Sequence, residues 1–274
     1  MILPPGAINA GDPVEPRPSA TVLLIRGSRP FELLLVRRPG GADFAPGAYV
    51  FPGGTVHADD RGASDEIKAT AIRELFEEAG ILLARRGRSL ARGSDCDAVR
   101  AGVERRETFA DALAGCGLEP AFDRLVLMAR WVTPAVLSRR YDARFYLARM
   151  PSSQKVVPQK GEVTGWLWAT PERALHDPGI TLVYATRSVL ETIATGESAT
   201  ELFKRARSRR EVPIVEPRMV ETESGWVVQR SASAEAPLWR QTRASTPRQR
   251  PVWRQTGGTR GAASARGRAS GRTG

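Results

Sequence analysis

The residues best equipped for chemistry are Arg73-Glu74-Leu75-Phe76-Glu77-Glu78-Ala79-Gly80-Ile81. On an α-helix, positions i, i+3 and i+4 share a face, so Glu74, Glu77 and Glu78 project together. Like charges at that spacing repel one another, and a bound cation would turn the repulsion into a site. Carboxylate oxygens suit Mg²⁺ or Mn²⁺, hard cations that keep several waters and serve phosphate substrates. A carboxyl group crowded by others also gains proton affinity, which fits it as a general base where no metal claims it. Alone, such a string more often marks a solvated acidic helix face. Phe51-Pro52-Gly53-Gly54 lies just upstream and favours the metal reading, because glycines let backbone approach a ligand and a loop-to-helix junction favours phosphate.

These side chains need a rigid helix on a sheet. Ile67, Ala71, Leu75 and Ala79 recur every four residues, which predicts a helix over 65–79, with Ser64 or Asp65 as its cap and Gly80 as its stop. Ser19–Arg26 and Phe31–Arg38 read as strands around the turn Gly27-Ser28-Arg29-Pro30, with a short strand at Tyr49–Phe51. Further on, a helix is expected at Arg100–Ala114 and strands at Leu125–Val132, Arg144–Ala148 and Val163–Ala169. A helical turn follows from Pro171, then one or two helices within 182–206. A final hairpin is expected from 213–220 and 225–229. Strands and helices interleave without an internal linker, which means one α/β domain with a mixed sheet over 19–229. Residues 1–18 hold five prolines and read as an extended lead-in.

The net charge of +11 is unevenly spread. From Arg230 onward ten arginines face a single acid, Glu235, so nine of the eleven positive charges sit in 230–274 and the body is nearly neutral. That segment of Arg, Ser, Gly, Ala, Thr and Pro reads as a disordered basic tail. Nucleic-acid binding is therefore not expected of the domain, and only the tail, with Trp239-Arg240-Gln241-Thr242 repeated at 253–256, leaves room for it. Apolar runs such as Val22–Ile25 are too short to span a bilayer, so no membrane partner is expected. The N-terminus has no leader-like pattern, and Cys96 and Cys116 form neither a disulfide framework nor a zinc ribbon; both point to the cytoplasm. Trp166 and Trp168 alternate on a strand, a pattern that reads as core before it reads as a platform for a base.

The sequence resembles the Nudix hydrolases. Their box runs Gly, five residues, Glu, seven residues, then Arg-Glu-apolar-any-Glu-Glu-any-Gly-apolar, and residues 73–81 match its second half throughout. Counting back from Arg73 puts the box's first acid at Asp65, with five extra residues between Gly54 and that acid, around His57–Gly62. The resemblance implies an α/β/α sandwich and divalent-metal-dependent cleavage of a diphosphate linkage. It further implies Glu74 and Glu78 as metal ligands, Glu77 as third ligand or general base, the Gly54 carbonyl as a further ligand, and Arg73 fixing the carboxylates. Nudix enzymes often draw one more acid from outside the box, and Glu162 is the candidate.

Within the family, the chain lacks features linked to several substrates: no proline lies between Pro52 and Pro120, no tyrosine between Tyr49 and Tyr141, and two cysteines cannot build a four-cysteine zinc site. Stretches such as PGAYVFPGG, AIRELFEEAGILL, RWVTP and RRYDARFYLA are similar to the acyl-CoA diphosphatase branch. The resemblance implies coenzyme A or an acyl-CoA as substrate, with Arg37, Arg38, Arg144 and the Gly53 backbone, then Arg139 and Arg140, as candidate phosphate contacts. Another nucleotide substrate (a nucleoside triphosphate or an RNA 5′ end) and a non-catalytic Nudix-fold binding module remain open alternatives. So does a homodimer.

Overall fold

Strand β1 (Arg17–Gly27) and strand β2 (Phe31–Arg37) carry uninterrupted apolar runs, and Val22–Ile25 and Leu33–Val36 are all buried. Such runs belong to strands covered on both faces. They form the middle of the molecule in this computed structural model, which describes residues 6–42, 45–223 and 225–229. The short β3 (Tyr49–Val50) adds to β2, and β4 (Gly53–Thr55) adds to β1, so the loop glycines expected before the helix are themselves a strand. Gly53 fits there because it has no side chain: a Cβ on it would lie 2.3 Å from the Ala20 carbonyl oxygen.

Helix α1 (Glu66–Ala79) starts where Asp65 accepts a hydrogen bond from the Lys68 N–H and stops at Gly80, whose φ of 69° is the left-handed conformation glycine tolerates. Beyond it lie β5 (Ala84–Arg86), β6 (Ser89–Leu90), α2 (Gly93–Glu104), α3 (Phe109–Gly115) and β7 (Glu119–Pro120), whose strands make a small separate sheet. The single helix expected over 100–114 is thus two. Arg106 turns left-handed at φ 69°, and Thr108 caps the new start by accepting from the Asp111 N–H.

The main sheet is completed by β8 (Val126–Val132), β9 (Tyr141–Arg149) and the edge strand β10 (Gly165–Ala169). Next come α4 (Pro171–His176), α5 (Tyr184–Ile193), α6 (Ala199–Ser208) and β11 (Ile214–Val215), then a hairpin of β12 (Arg218–Thr222) and β13 (Gly225–Gln229). The sheet order is β10-β2-β1-β9-β8-β11, with β1–β9 and β8–β11 parallel and the other pairs antiparallel. Alternation along the strands divides the core. Val22, Leu24, Leu34 and Tyr146 face α1 (Ile72, Leu75), while Leu23, Leu33, Leu35 and Leu147 face α5 and α6 (Leu190, Leu202, Phe203). This is the expected three-layer α/β/α arrangement in one domain. No helix among the described residues is long and apolar enough to cross a membrane. The basic tail expected over 230–274 lies outside the described residues.

Candidate active site

Helix α1 buries Ala71, Leu75 and Ala79 against the sheet and turns its acidic face toward β4. Arg73 sits at the centre of that face, only 3% exposed, and each of its five N–H donors has an acceptor. Nε and Nη2 grip the two oxygens of Asp60, both at 2.9 Å. Nη1 reaches Glu74 Oε1 and Glu77 Oε2, both at 2.8 Å, and Nη2 also meets the Thr55 carbonyl at 3.0 Å. A planar fork with five donors can satisfy this set; a lysine cannot.

Asp60 is the residue that counting back from Arg73 missed. It closes a short 3₁₀ turn, Ala58–Asp60, is 4% exposed, and also accepts from the His57 N–H and the Thr70 hydroxyl. Asp65, the acid expected to orient Arg73, instead caps α1 and pairs with Lys68. The five extra residues therefore follow the acid rather than precede it. The signal was present, since Asp60 lies five intervening residues after Gly54, the box spacing counted forward.

The electrostatics follow from this geometry. Burial pushes the Asp60 carboxyl up, but Arg73 and the His57 N–H outweigh it and hold it below the usual range. Burial raises Glu74 against the pull of Arg73. Burial likewise brings Glu77 to about 7, with Arg73 opposing and Glu74 and Glu162 adding. Glu78 goes to about 8, chiefly through burial, opposed by the Gly53 N–H that it accepts at 2.8 Å. The charge of the exposed Glu162 adds to the rise of Glu74, Glu77 and Glu78, and the charge of Arg38 lowers Glu78, each by less than burial does. The segment before Glu162 is tied to α1. The Gln159 N–H donates to the Glu77 carbonyl and the Val157 N–H to the Ala79 carbonyl, each at 2.9 Å.

Other candidates lie elsewhere. Arg37 is on the sheet face opposite Arg38, exposed, with Nε on the Gly47 carbonyl. Arg144 is on the helix side, in register with Ala20, the residue that also pairs with Gly54, and is hydrogen-bonded to Tyr146. Arg140, a candidate phosphate contact by sequence, is instead buried: it donates to the Thr133 and Val14 carbonyls and pairs with Glu216, a structural tie between distant segments.

Among the described residues, no three His, Cys, Asp or Glu side chains are already arranged around one metal position. Arg73 Nη1 lies between Glu74 and Glu77, and Glu78 turns to Gly53. The donor set still fits a hard cation. Three carboxyl groups of raised proton affinity share one face, and the Gly54 backbone closes on them so tightly that a Cβ there would lie 2.4 Å from Glu74 Oε1.

The family model described as NUDT19 Nudix domain matches residues 65–180, which include the acidic face of α1, the segment tied to it and Glu162. The crystal structure of a Nudix hydrolase from Alicyclobacillus acidocaldarius superposes with a TM-score of 0.58 at 25% identity, covering 69% of this chain and 96% of that one. Over that span this chain is similar to the Nudix hydrolases. Nudix hydrolase 7 of Caenorhabditis elegans is 28% identical over 162 residues, 58% of this chain and 53% of the relative. The acyl-coenzyme A diphosphatase NUDT19 of Xenopus laevis is 26% identical over 208 residues, and the human protein of that name 28% identical over 207. Those alignments cover 54% and 53% of this chain and 54% of each relative, so the chain spans about half the length of the curated relatives it matches. Measured against the Nudix box, Arg73–Ile81 resembles its second half, and Gly54-Thr55-Val56-His57-Ala58-Asp59-Asp60 has the spacing of its first half, with aspartate in place of glutamate.

Proposed function

We propose that this protein hydrolyses the diphosphate linkage of coenzyme A or an acyl-CoA, giving 3′,5′-ADP and 4′-phosphopantetheine or its acyl thioester. The substrate class is supported by the relatives named acyl-coenzyme A diphosphatase. The chemistry is supported by one observation: Glu74, Glu77 and Glu78 share one helix face, where Asp60 holds Arg73 and Arg73 holds Glu74 and Glu77. Glu74, Glu78 and Glu77, with the Gly54 carbonyl, would hold Mg²⁺ or Mn²⁺, which when bound neutralises diphosphate charge and acidifies a water.

The chain's own groups do the rest. Where the metal does not claim it, Glu77, at about 7, takes the proton of the attacking water at Oε1, because Oε2 accepts from Arg73 Nη1; Glu162 is the other candidate base. Arg73 positions Glu74 and Glu77 and does not touch substrate. Arg38 is the first candidate phosphate contact, and Arg144, Arg37 and the Gly53 backbone are further candidates. The catalytic domain is taken as 19–229, with 230–274 an accessory tail. The test is to incubate the protein with Mg²⁺ or Mn²⁺ and CoA, acyl-CoAs, ADP-ribose, NADH, diadenosine polyphosphates and nucleoside triphosphates, with Glu78→Gln as control. Release of 3′,5′-ADP from CoA by wild type alone supports the proposal. Cleavage of another compound with CoA untouched rejects the substrate and keeps the chemistry, and inertness toward all of them rejects both.

A further inference from the structure

The two alternating tryptophans of β10 have opposite fates. Both point to the α1 side of the sheet: Trp168 pairs in register with Leu34 and lies in the core cluster of Leu75 and Ala71, and Trp166 pairs with Val36. Trp168 is 8% exposed, with the Arg26 guanidinium 4.4 Å from its ring centroid. Trp166 is 43% exposed. Its end of β10 is also the catalytic end. The Thr164 N–H donates to the Arg37 carbonyl, and its hydroxyl lies 3.3 Å from the Arg38 carbonyl. Glu162, four residues before Trp166, acts on Glu74, Glu77 and Glu78. The Gln159 N–H donates to the Glu77 carbonyl, which ties the segment leading into β10 to the acidic helix, and Trp166 pairs with Val36 at the β2 end that leads to Arg38.

We propose that Trp166 is the stacking platform for the purine base of the substrate, a subsite that anchors the nucleotide end of the molecule. The inference rests on the coenzyme A reading of the same site. With the diphosphate at the α1 carboxylates, the base is the aromatic group within reach, because a single ribose joins it to the phosphates. The acyl end is held off by the whole pantetheine arm. An indole open on one face offers a sequence-tolerant π-surface to a purine.

The experiment compares wild type, Trp166→Leu and Trp166→Phe. Adenosine 3′,5′-bisphosphate and 4′-phosphopantetheine are titrated calorimetrically, and kcat and KM for CoA are measured with Mg²⁺. The stack predicts that Trp166→Leu weakens adenosine 3′,5′-bisphosphate binding about tenfold, the order of one lost base–aromatic contact. Trp166→Phe keeps most of the affinity, 4′-phosphopantetheine binding is unchanged, and the loss on CoA falls in KM rather than kcat. Equal affinity of wild type and Trp166→Leu for the bisphosphate overturns the proposal, as does an equal loss for 4′-phosphopantetheine. Wild type inert toward CoA refutes the substrate reading instead. The stack is then tried on AMP, and an AMP affinity indifferent to Trp166→Leu overturns it too.

Discussion

Replacing Asp60 by asparagine tests which acid completes the Nudix box. The side chain is 4% exposed, and four donors converge on it: Arg73 Nε on one oxygen, and Arg73 Nη2, the His57 N–H and the Thr70 hydroxyl on the other. An asparagine amide must aim its NH₂ at one of these donor sets, so at least one buried donor loses its acceptor, and Arg73 loses a charge partner. Removing one member of a buried ion pair costs about 3–5 kcal/mol. Glu74 and Glu77 still neutralise Arg73, which brings the expected cost to about 2–3 kcal/mol, or a fall of roughly 5–10 °C in Tm for a domain of this size. Activity should fall further, because the carboxylates Arg73 holds lose their fixed positions. The matched control is Asp65→Asn. Asparagine caps a helix as well as aspartate, so that change should cost under about 0.5 kcal/mol. Thermal denaturation and metal-dependent hydrolysis of both variants are the assays. If Asp65→Asn costs as much as Asp60→Asn in either, the assignment of Asp60 to the box is wrong.

Gly54→Ala should remove most metal-dependent activity while lowering Tm by only a few degrees, since its Cβ meets the Glu74 carboxylate; Gly53→Ala, whose Cβ meets the Ala20 carbonyl oxygen, should instead be lost as soluble protein. Expression yield, Tm and turnover separate the two. Metal-free protein should lose stability as pH rises between about 4.5 and about 8. Glu77 at about 7 and Glu78 at about 8 keep protons in the folded state that the unfolded chain has released, so stability falls until both are ionised. The Tm gain from Mg²⁺ or Mn²⁺ should then be greater near the top of that window; a gain that is greater at its acid end contradicts the carboxylate assignment. Gln154→Ala should cost about 2–4 kcal/mol in urea unfolding, because Gln154 bonds the Leu82 N–H, the Leu82 carbonyl and the Ala91 carbonyl, and the two buried carbonyls would lose this donor.

The part of the site written in local spacing was legible. Helix period, the cap at Asp65, the stop at Gly80 and the shared face of Glu74, Glu77 and Glu78 all follow from neighbours in sequence. The first acid was not, because counting back from Arg73 and forward from Gly54 disagree by five residues, and a strong capping residue stood at the wrong answer. The break between α2 and α3 carried a signal, Thr108 three residues before Asp111, that the apolar period obscured. Strands of two or three residues, such as β5, β6 and β7, are too short to show alternation. Arg140 looked like any strand arginine; its burial depends on Val14 and Glu216, brought to it from far along the chain. The tryptophans show the same limit, since period fixes the face that Trp166 and Trp168 share but not where the covering layer ends.

The parallel pairing of β1 with β9 also constrains how the molecule is made. Arg17–Ile25 find their partners at Tyr141–Arg149, roughly 120 residues later. During synthesis β1 emerges long before β9, carrying the apolar run Val22–Ile25 with one edge unpaired. An open apolar edge is where strands from different chains join. Closing so large a loop before its contacts reward it slows folding. The nascent chain therefore meets its greatest risk of aggregation between the emergence of these two strands, and chaperone demand should track translation speed across that interval.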